Sequence, residues 1–169
     1  MSESWVINAS PVILLAKAGL MERVSLLADP FVIPQPVADE ILGVRGEDAA
    51  ARWLKEMGKP FIRPAVAELT ELSGSEIGSG ERSVISWAAA HRGFIAVLDD
   101  HEARVIAQRL GVRILGTVGV VLRLKQAGLI SEAKPHLLHI KKVGGYIGDE
   151  LLREALRRAG EHRTSNLEP

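Results

Sequence analysis

Short apolar runs alternate along this chain with longer stretches whose apolar residues recur at helical spacing. The apolar runs cover residues 5–7, 31–34, 61–63, 94–98 and 112–115. The run at 94–98 is continuously apolar, which is typical of a strand buried on both faces in a parallel sheet. Strands separated by helices at this spacing indicate an α/β fold. We therefore predict a three-layer α/β/α sandwich with a central, mainly parallel sheet.

Capping residues and glycines set the predicted helix boundaries. We expect Ser10 to cap a helix that begins at Pro11, and Gly19 to end that helix in a left-handed conformation. Further helices are predicted over residues 20–28, 36–42, 47–57, 66–72, 81–91, 101–110, 117–127, 131–142 and 149–159, with caps at Thr117 and Asp149. Residues 1–161 are predicted to form one domain, and residues 162–169 a frayed tail.

Composition narrows the possible chemistry and the compartment. The chain has 169 residues, 47% of them hydrophobic and 25% charged, which is typical of a globular domain with a substantial core. It has no cysteine, which excludes disulfides, thiolate zinc sites and a thiol nucleophile. Because we find no secretory leader and no apolar run of membrane-spanning length, we expect a cytoplasmic protein without membrane contact.

The formal net charge is zero, but its distribution is uneven. Residues 1–100 hold 9 Lys and Arg against 14 Asp and Glu, whereas residues 101–169 hold 12 against 7. The basic later helices could attract a phosphate backbone locally. For most of these arginines an ordinary solvated helix face is the simpler interpretation, since a neutral protein exerts no overall attraction on nucleic acid.

Oxygen-bearing side chains follow the predicted strands where each one ends. Asn8 comes after the first strand, and Asp99 and Asp100 come after the strand at 94–98. Such strand ends meet at one sheet edge, where oxygen ligands can bind Mg²⁺ or Mn²⁺. Because side chains alternate along a strand, the two aspartates cannot face the same way. One can face the sheet edge while the other caps the next helix, although both could be caps.

Two glutamates and a threonine are weaker candidates. Glu40 lies within a predicted helix, either at the edge of its buried face or simply in solvent. Glu81 follows Gly78-Ser79-Gly80, where it can be a metal ligand or a first-turn acid that complements the helix dipole. Thr117 can cap its helix or contact a phosphate or a metal-bound water.

Five short motifs together resemble the PIN-domain superfamily. They are N-A-S-P at 8–11, V-x-x-E-I at 37–41, G-x-G-E-x-x-x-I-x-x-A at 78–88, L-D-D-x-x-A-R at 98–104 and G-T-x-G-V at 116–120. The chain looks most like a PIN-like branch in which Asn replaces the first acid. The likeness extends from about residue 6 to residue 160, and the combination of motifs is more specific than any one of them.

The resemblance implies a ribonuclease in which a water activated by Mg²⁺ or Mn²⁺ hydrolyses a phosphodiester. Carried over by position, the catalytic acids fall on Glu40, Glu81 and Asp100. The metal ligands would be these three with Asn8 and Asp99. Because an amide oxygen brings no charge, Asn8 should make metal binding weaker than an aspartate would.

The resemblance also implies partners. Ser10 and Thr117 would contact the substrate RNA, and many PIN domains are VapC-type toxins held by an antitoxin. A homodimer is expected, and the apolar stripe of the last helix could pack either on the core or on a partner. The alternative function is a PIN-like fold of weak or lost activity that binds nucleic acid or protein, which Asn8 and the neutral charge favour.

Overall fold

A computed structural model of the protein describes residues 2–43 and 48–161. Its strands are β1 (Glu3–Ile7), β2 (Ala28–Pro34), β3 (Ile62–Arg63), β4 (Phe94–Val97) and β5 (Arg113–Leu115). They form one sheet in the order β3-β2-β1-β4-β5, and every neighbouring pair is parallel. The predicted central sheet is therefore confirmed, and the five strands described are all parallel.

Helices flank the sheet, as the three-layer prediction requires. They are α1 (Ala9–Lys17), α2 (Met21–Leu27), α3 (Gln35–Gly43), α4 (Ala49–Trp53), α5 (Ser79–Ala90), α6 (His101–Arg109), α7 (Thr117–Gln126), α8 (Lys134–Lys142) and α9 (Asp149–Arg158). Helix α5 packs against β1, β2 and β4, and α6 packs against β5. None of the helices in the described ranges is long and apolar enough to cross a membrane.

Both faces of the central strands are covered. Trp5, Val6 and Ile7 are consecutive in β1, so their side chains alternate between faces, yet all three are at most 1% exposed. Ile95, Ala96 and Val97 repeat this pattern in β4. The continuous apolar runs of the sequence thus have the physical cause predicted for them: a sheet with helices on each side leaves no face for polar residues.

The first helix begins earlier than predicted. Helix α1 starts at Ala9 with Asn8 at the N-cap position, so the prediction that Ser10 caps a helix from Pro11 is wrong. The backbone turns directly after β1, where Asn8 has the extended geometry of a cap. The side chain of Asn8 nevertheless makes no capping hydrogen bond. Gly19 ends the helical turn at a φ of 71°, which confirms its predicted left-handed conformation.

The caps predicted at Thr117 and Asp149 also lie one residue too late. Gly116 and Gly148 occupy the N-cap positions of α7 and α9, which makes Thr117 and Asp149 the first helical residues. Helix α5 begins at Ser79, two residues before the predicted start at Glu81. The shift places Glu81 inside the first turn of α5.

Two other predicted helices are shorter in the structure, and a third changes its helical type along its length. Only a 3₁₀ turn at Thr70–Leu72 forms in the segment 66–72, because the backbone at Leu69 is extended and its N–H donates to Ser86 Oγ at 3.2 Å. Helix α8 starts three residues later than predicted. The helix predicted over 47–57 is α-helical only in α4, which continues into a π-helical turn at Leu54–Gly58. Residue 47 and the predicted tail at 162–169 lie outside the described residues.

The sheet has a switch point between β1 and β4. The chain builds β2 and β3 on one side of β1, then crosses to place β4 and β5 on the other side. The connections after β1 and β4 therefore lead away from each other and leave a crevice at the strand ends. Asn8 and Asp99 follow these two strands, so the topology puts both of them at the crevice.

Burial on both sheet faces gives a test of the layered architecture. We expect Val6→Ala and Ile7→Ala each to lower the free energy of unfolding by about 2 to 4 kcal/mol, since each leaves a cavity in a different layer. Leu26→Ala is the control, because Leu26 is 70% exposed and should change stability by less than about 0.5 kcal/mol. Urea unfolding followed by circular dichroism measures all three, and a neutral Val6→Ala would contradict the second helical layer.

Candidate functional site

Asn8 carries a buried polar atom that the protein leaves without a partner. Its backbone N–H donates to Val97 O at 3.1 Å, which extends the pairing of β1 with β4 by one residue. Its side chain is held in the protein interior, with only 3% of the residue exposed. Among the described residues, Asn8 Oδ1 has no hydrogen-bond donor. A buried oxygen of this kind is unfavourable unless a ligand satisfies it.

Gly80 leaves a small space beside that oxygen. A Cβ atom at Gly80 would lie 3.0 Å from Asn8 Oδ1 and 2.8 Å from Glu40 Oε2. Both oxygens, from β1's end and from α3, therefore approach the same point on the first turn of α5. Gly80 is helical and has no positive φ, so its backbone conformation does not call for glycine. The role of glycine here is to leave space, since a larger residue would displace the ends of the Asn8 and Glu40 side chains.

Glu40 and Glu81 interact electrostatically at this point. Burial raises the pKa of the Glu40 carboxyl, and the nearby charge of Glu81 raises it further. Glu40 as a whole residue is exposed on α3, but its carboxyl lies against Gly80, where it is partly shielded from water. Glu81 is half-buried in α5. Two carboxylates that repel each other next to an unpaired amide oxygen form an arrangement that a cation would stabilise.

Asp99 and Asp100 have different tasks, as strand alternation predicts. Asp99 is half-buried and accepts two hydrogen bonds from Thr117: Oδ1 from the backbone N–H at 2.8 Å and Oδ2 from the hydroxyl at 2.5 Å. Asp100 is exposed, and its Oδ2 accepts the N–H of Ala103 at 2.9 Å as the N-cap of α6. Asp99 is thus fixed at the sheet edge, while Asp100 starts the helix.

A cleft of about 960 Å³ opens at these strand ends. Every predicted site residue lines it except Glu40, which approaches from α3 on the other side of Gly80. The polar end of the cleft is formed by Asn8, Ser10, Glu81, Asp99, Asp100 and Thr117. From there the cleft continues along α7 to the apolar residues Leu122, Tyr146 and Leu151.

The predicted metal ligands do not all meet at one point. Within residues 2–43 and 48–161, no three His, Cys, Asp or Glu side chains come close enough together to hold a metal ion. The oxygens that do converge are those of Asn8 and Glu40 at Gly80, and the Glu81 carboxylate is near enough to Glu40 to raise its pKa. Such a set suits a hard cation that keeps several of its waters, as Mg²⁺ commonly does.

The structure adds residues to which the sequence pattern assigned no role. Arg104 lies in the L-D-D-x-x-A-R motif, and its guanidinium returns to the strand end, where Nη1 donates to Leu98 O at 3.1 Å. A Cβ at Gly116 would lie 2.6 Å from that nitrogen, so Gly116 makes room for Arg104. Tyr146, at the other end of the cleft, is 96% exposed. The one signal in the sequence was the spacing of Arg104 after the two aspartates.

Comparison with known proteins places the chain in a family. The sequence model of the DUF3368 family, a PIN domain, matches residues 4–161. No curated protein matches the chain. The matched range includes every residue of the predicted site, and PIN domains are typically metal-dependent nucleases. The resemblance stated from the motifs is confirmed: this chain belongs to the PIN-domain family.

Proposed function

We propose that this protein is a metal-dependent ribonuclease that hydrolyses a phosphodiester at the polar end of its cleft. The observation that carries the proposal is the buried, unpaired Asn8 Oδ1 next to Glu40 Oε2 at Gly80. An unsatisfied oxygen beside two repelling carboxylates is unfavourable in the protein alone, and a bound cation would satisfy all three groups. This accounts for an arrangement that packing alone would not favour.

The donor set fits Mg²⁺ or Mn²⁺. Both ions prefer oxygen ligands, and Mg²⁺ is often held by one or two carboxylates with waters in the remaining positions. Glu40 and Glu81 would supply the charge and Asn8 a neutral oxygen. Asp99 and Asp100 lie across the cleft end, from where they would act directly or through water. A bound ion would supply an activated water and neutralise charge on the phosphoryl group.

The residues of the chain would prepare the site for that chemistry. Thr117 uses both its N–H and its hydroxyl to hold Asp99, so this carboxylate is oriented before substrate arrives. Ser10 is exposed on the cleft wall, where its hydroxyl is free to meet a phosphate. Substrate contacts by Ser10 and Thr117 stay predictions, as do an antitoxin partner, a homodimer and a cytoplasmic location.

One observation favours a second function, that of a PIN-like binding module with weak or no catalysis. The converging set contains an amide where an acid would add charge, and it contains only two carboxylates. A site of lower charge binds a divalent cation less tightly. Under this alternative the cleft would still bind its ligand, while metal binding would be too weak to support hydrolysis.

Filling the space at Gly80 tests the proposed ion site without changing a charge. We expect Gly80→Ala to weaken Mn²⁺ binding by about 10- to 100-fold, because the new methyl group would stand between Asn8 Oδ1 and Glu40 Oε2. Isothermal titration calorimetry measures the affinity. RNA cleavage should fall with it.

Gly43→Ala is the matched control for this variant. Gly43 is also helical, in α3, and a Cβ there meets no atom within 4 Å, so Mn²⁺ affinity should stay at the parent value. The metal site is disproved if Gly80→Ala binds Mn²⁺ as tightly as Gly43→Ala. A parent protein that binds Mn²⁺ but cleaves no RNA would instead support the binding module.

Restoring an acid at Asn8 separates the two functions. We expect Asn8→Asp to tighten Mn²⁺ binding at least about tenfold, since the added carboxylate lies beside Glu40 and Glu81. In the metal-free protein the same change should lower thermal stability, because a third negative charge is unneutralised there. Opposite shifts of the melting temperature with Mn²⁺ and with chelator would identify the ion site. Destabilisation in both conditions would argue against it.

Glu40 gives the site a specific pH dependence. Its raised folded-state pKa means that the folded protein holds this proton more tightly than the unfolded chain does. The resulting stability is fully present below the unfolded pKa and is lost as the pH rises through the folded pKa. We therefore expect Glu40→Gln to equal or exceed the parent stability at neutral pH without metal, by at most about 0.5 kcal/mol.

The same variant should lose Mn²⁺ binding. In the parent, Mn²⁺ must displace the Glu40 proton, so its affinity should decline on acidification at a higher pH than an ordinary glutamate would cause. Calorimetry from about pH 5 to about pH 8, a range that begins above the usual pKa of a glutamate, measures the effect. A Glu40→Gln protein with parent affinity would remove Glu40 from the site.

A further inference from the structure

Arg104 differs from the other partly buried arginines of this chain. In the described residues, three arginines are half-buried: Arg82, Arg104 and Arg123. Arg82 pairs with Glu68 at 3.8 Å, and Arg123 pairs with Glu3 at 2.5 Å. Arg104 has no carboxylate within ion-pair distance among those residues. A partly desolvated guanidinium without an anion is unusual, because burial favours pairing of a charge.

The position of Arg104 is set by the strand ends rather than by an acid. Its Nη1 donates to Leu98 O at 3.1 Å, and the guanidinium occupies the space that the missing side chain of Gly116 leaves. The nearby carboxylate of Asp99 accepts the two donors of Thr117, one on each oxygen, and it lies outside ion-pair distance of Arg104. The arginine is thus held next to Asp99 without being neutralised by it.

Most of the hydrogen-bonding capacity of Arg104 remains available. A guanidinium has five N–H donors, and one hydrogen bond of Arg104, to Leu98 O, forms within the described part of the chain. Arg104 lines the cleft together with Glu81, Asp99 and Asp100. A planar fork of donors beside carboxylates suits a bidentate, tetrahedral anion such as a phosphate group.

The other arginine that lines the cleft, Arg158, shares the one carboxylate of Glu154 with Arg157. Arg158 donates to Glu154 Oε1 at 3.0 Å. Hydrogen bonds from Arg157 and Arg158 lower the pKa of Glu154 to about 2, so this carboxylate stays ionised and paired. Arg104 is thus the cleft arginine that forms no ion pair within the described part of the chain, and it lies immediately beside the acidic end.

We propose that Arg104 binds a phosphate of single-stranded RNA in the cleft, next to the scissile position. This inference rests on the proposed nuclease function for its substrate class. The guanidinium offsets the repulsion between the carboxylates and the RNA backbone, and its anchoring on Leu98 O fixes where the phosphate lies. Arg104 is then a substrate-binding residue, whereas Glu40, Glu81 and Asn8 serve the ion.

The test measures RNA and metal binding separately. We expect Arg104→Gln to weaken binding of a fluorescein-labelled RNA of about 12 nucleotides by about 10- to 100-fold, measured by anisotropy in EDTA. The slope of log affinity against log salt concentration should fall by about 0.7, as for one lost phosphate contact. Mn²⁺ affinity should stay the same or rise, because the variant removes a cation near the carboxylates.

Two further variants serve as comparisons. Arg104→Lys keeps the charge and a donor for Leu98 O but lacks the planar fork, so its RNA affinity should be intermediate. Arg109→Gln removes the same charge from the same helix at a residue that does not line the cleft, and RNA binding should match the parent. Circular dichroism and melting temperatures establish that each variant is folded.

The outcomes separate this inference from the nuclease proposal. If Arg104→Gln binds RNA like Arg109→Gln, or loses Mn²⁺ and RNA binding together, Arg104 only holds the strand end and the inference is wrong. A parent that binds Mn²⁺ but no RNA also overturns it and leaves the ion site. If Arg104→Gln weakens the binding of inorganic phosphate but leaves RNA binding unchanged, Arg104 binds a free anion and the inference is wrong. RNA binding that depends on Arg104 without Mn²⁺ binding would overturn the nuclease and its scissile position, and would keep Arg104 as a ligand of an RNA phosphate.

Discussion

The pairing of β1 with β4 is the constraint on which the rest of this site depends. These neighbouring strands are far apart in the sequence, and the backbone hydrogen bond from Asn8 N to Val97 O extends their ladder to the sheet edge. Since the chain departs in opposite directions after the two strands, a crevice remains where they end. The polar residues Asn8 and Asp99 occupy it directly after positions that are buried in the core, Val6 and Ile7 in β1 and Val97 in β4 with Leu98 after it.

Two glycines decide what this edge can hold. Gly80 leaves a space between the oxygens of Asn8 and Glu40, and Gly116 leaves room for the guanidinium of Arg104. Neither glycine has a positive φ, so conformational freedom does not explain them. Each is needed because a methyl group would displace a functional atom. The site is thus shaped as much by side chains that are absent as by those that are present.

The electrostatics divide the cleft end between two tasks. Glu40 and Glu81 repel each other near a neutral amide, which suits a cation. Arg104, in contrast, forms no ion pair with any described residue, and the nearby Asp99 is held by Thr117. The amide of Asn8 adds no charge to the repulsion between Glu40 and Glu81 that the metal-free protein must tolerate.

The sequence by itself determined the layered α/β architecture, because a strand buried on both faces requires an uninterrupted apolar run. It also indicated the family, through five motifs that can be read from the sequence without a structure. Local signals failed at helix starts such as Ser10, where the pairing of β1 sets the turn and overrides a capping preference. The helix predicted over residues 66–72 was wrong for a related reason, since Ser86 on another helix accepts the N–H of Leu69, whose backbone is extended.

Only the tertiary structure decided which polar groups meet. Nothing local in the sequence shows that Glu40 reaches Asn8 past Gly80, because the three residues come from separate elements. Arg104 belongs to a sequence motif, but only the structure shows that its guanidinium donates to Leu98 O and that Thr117 holds the nearby Asp99. Periodicity reports the surroundings of a residue along its own element, whereas ligand geometry and charge pairing arise between elements that the sheet brings together.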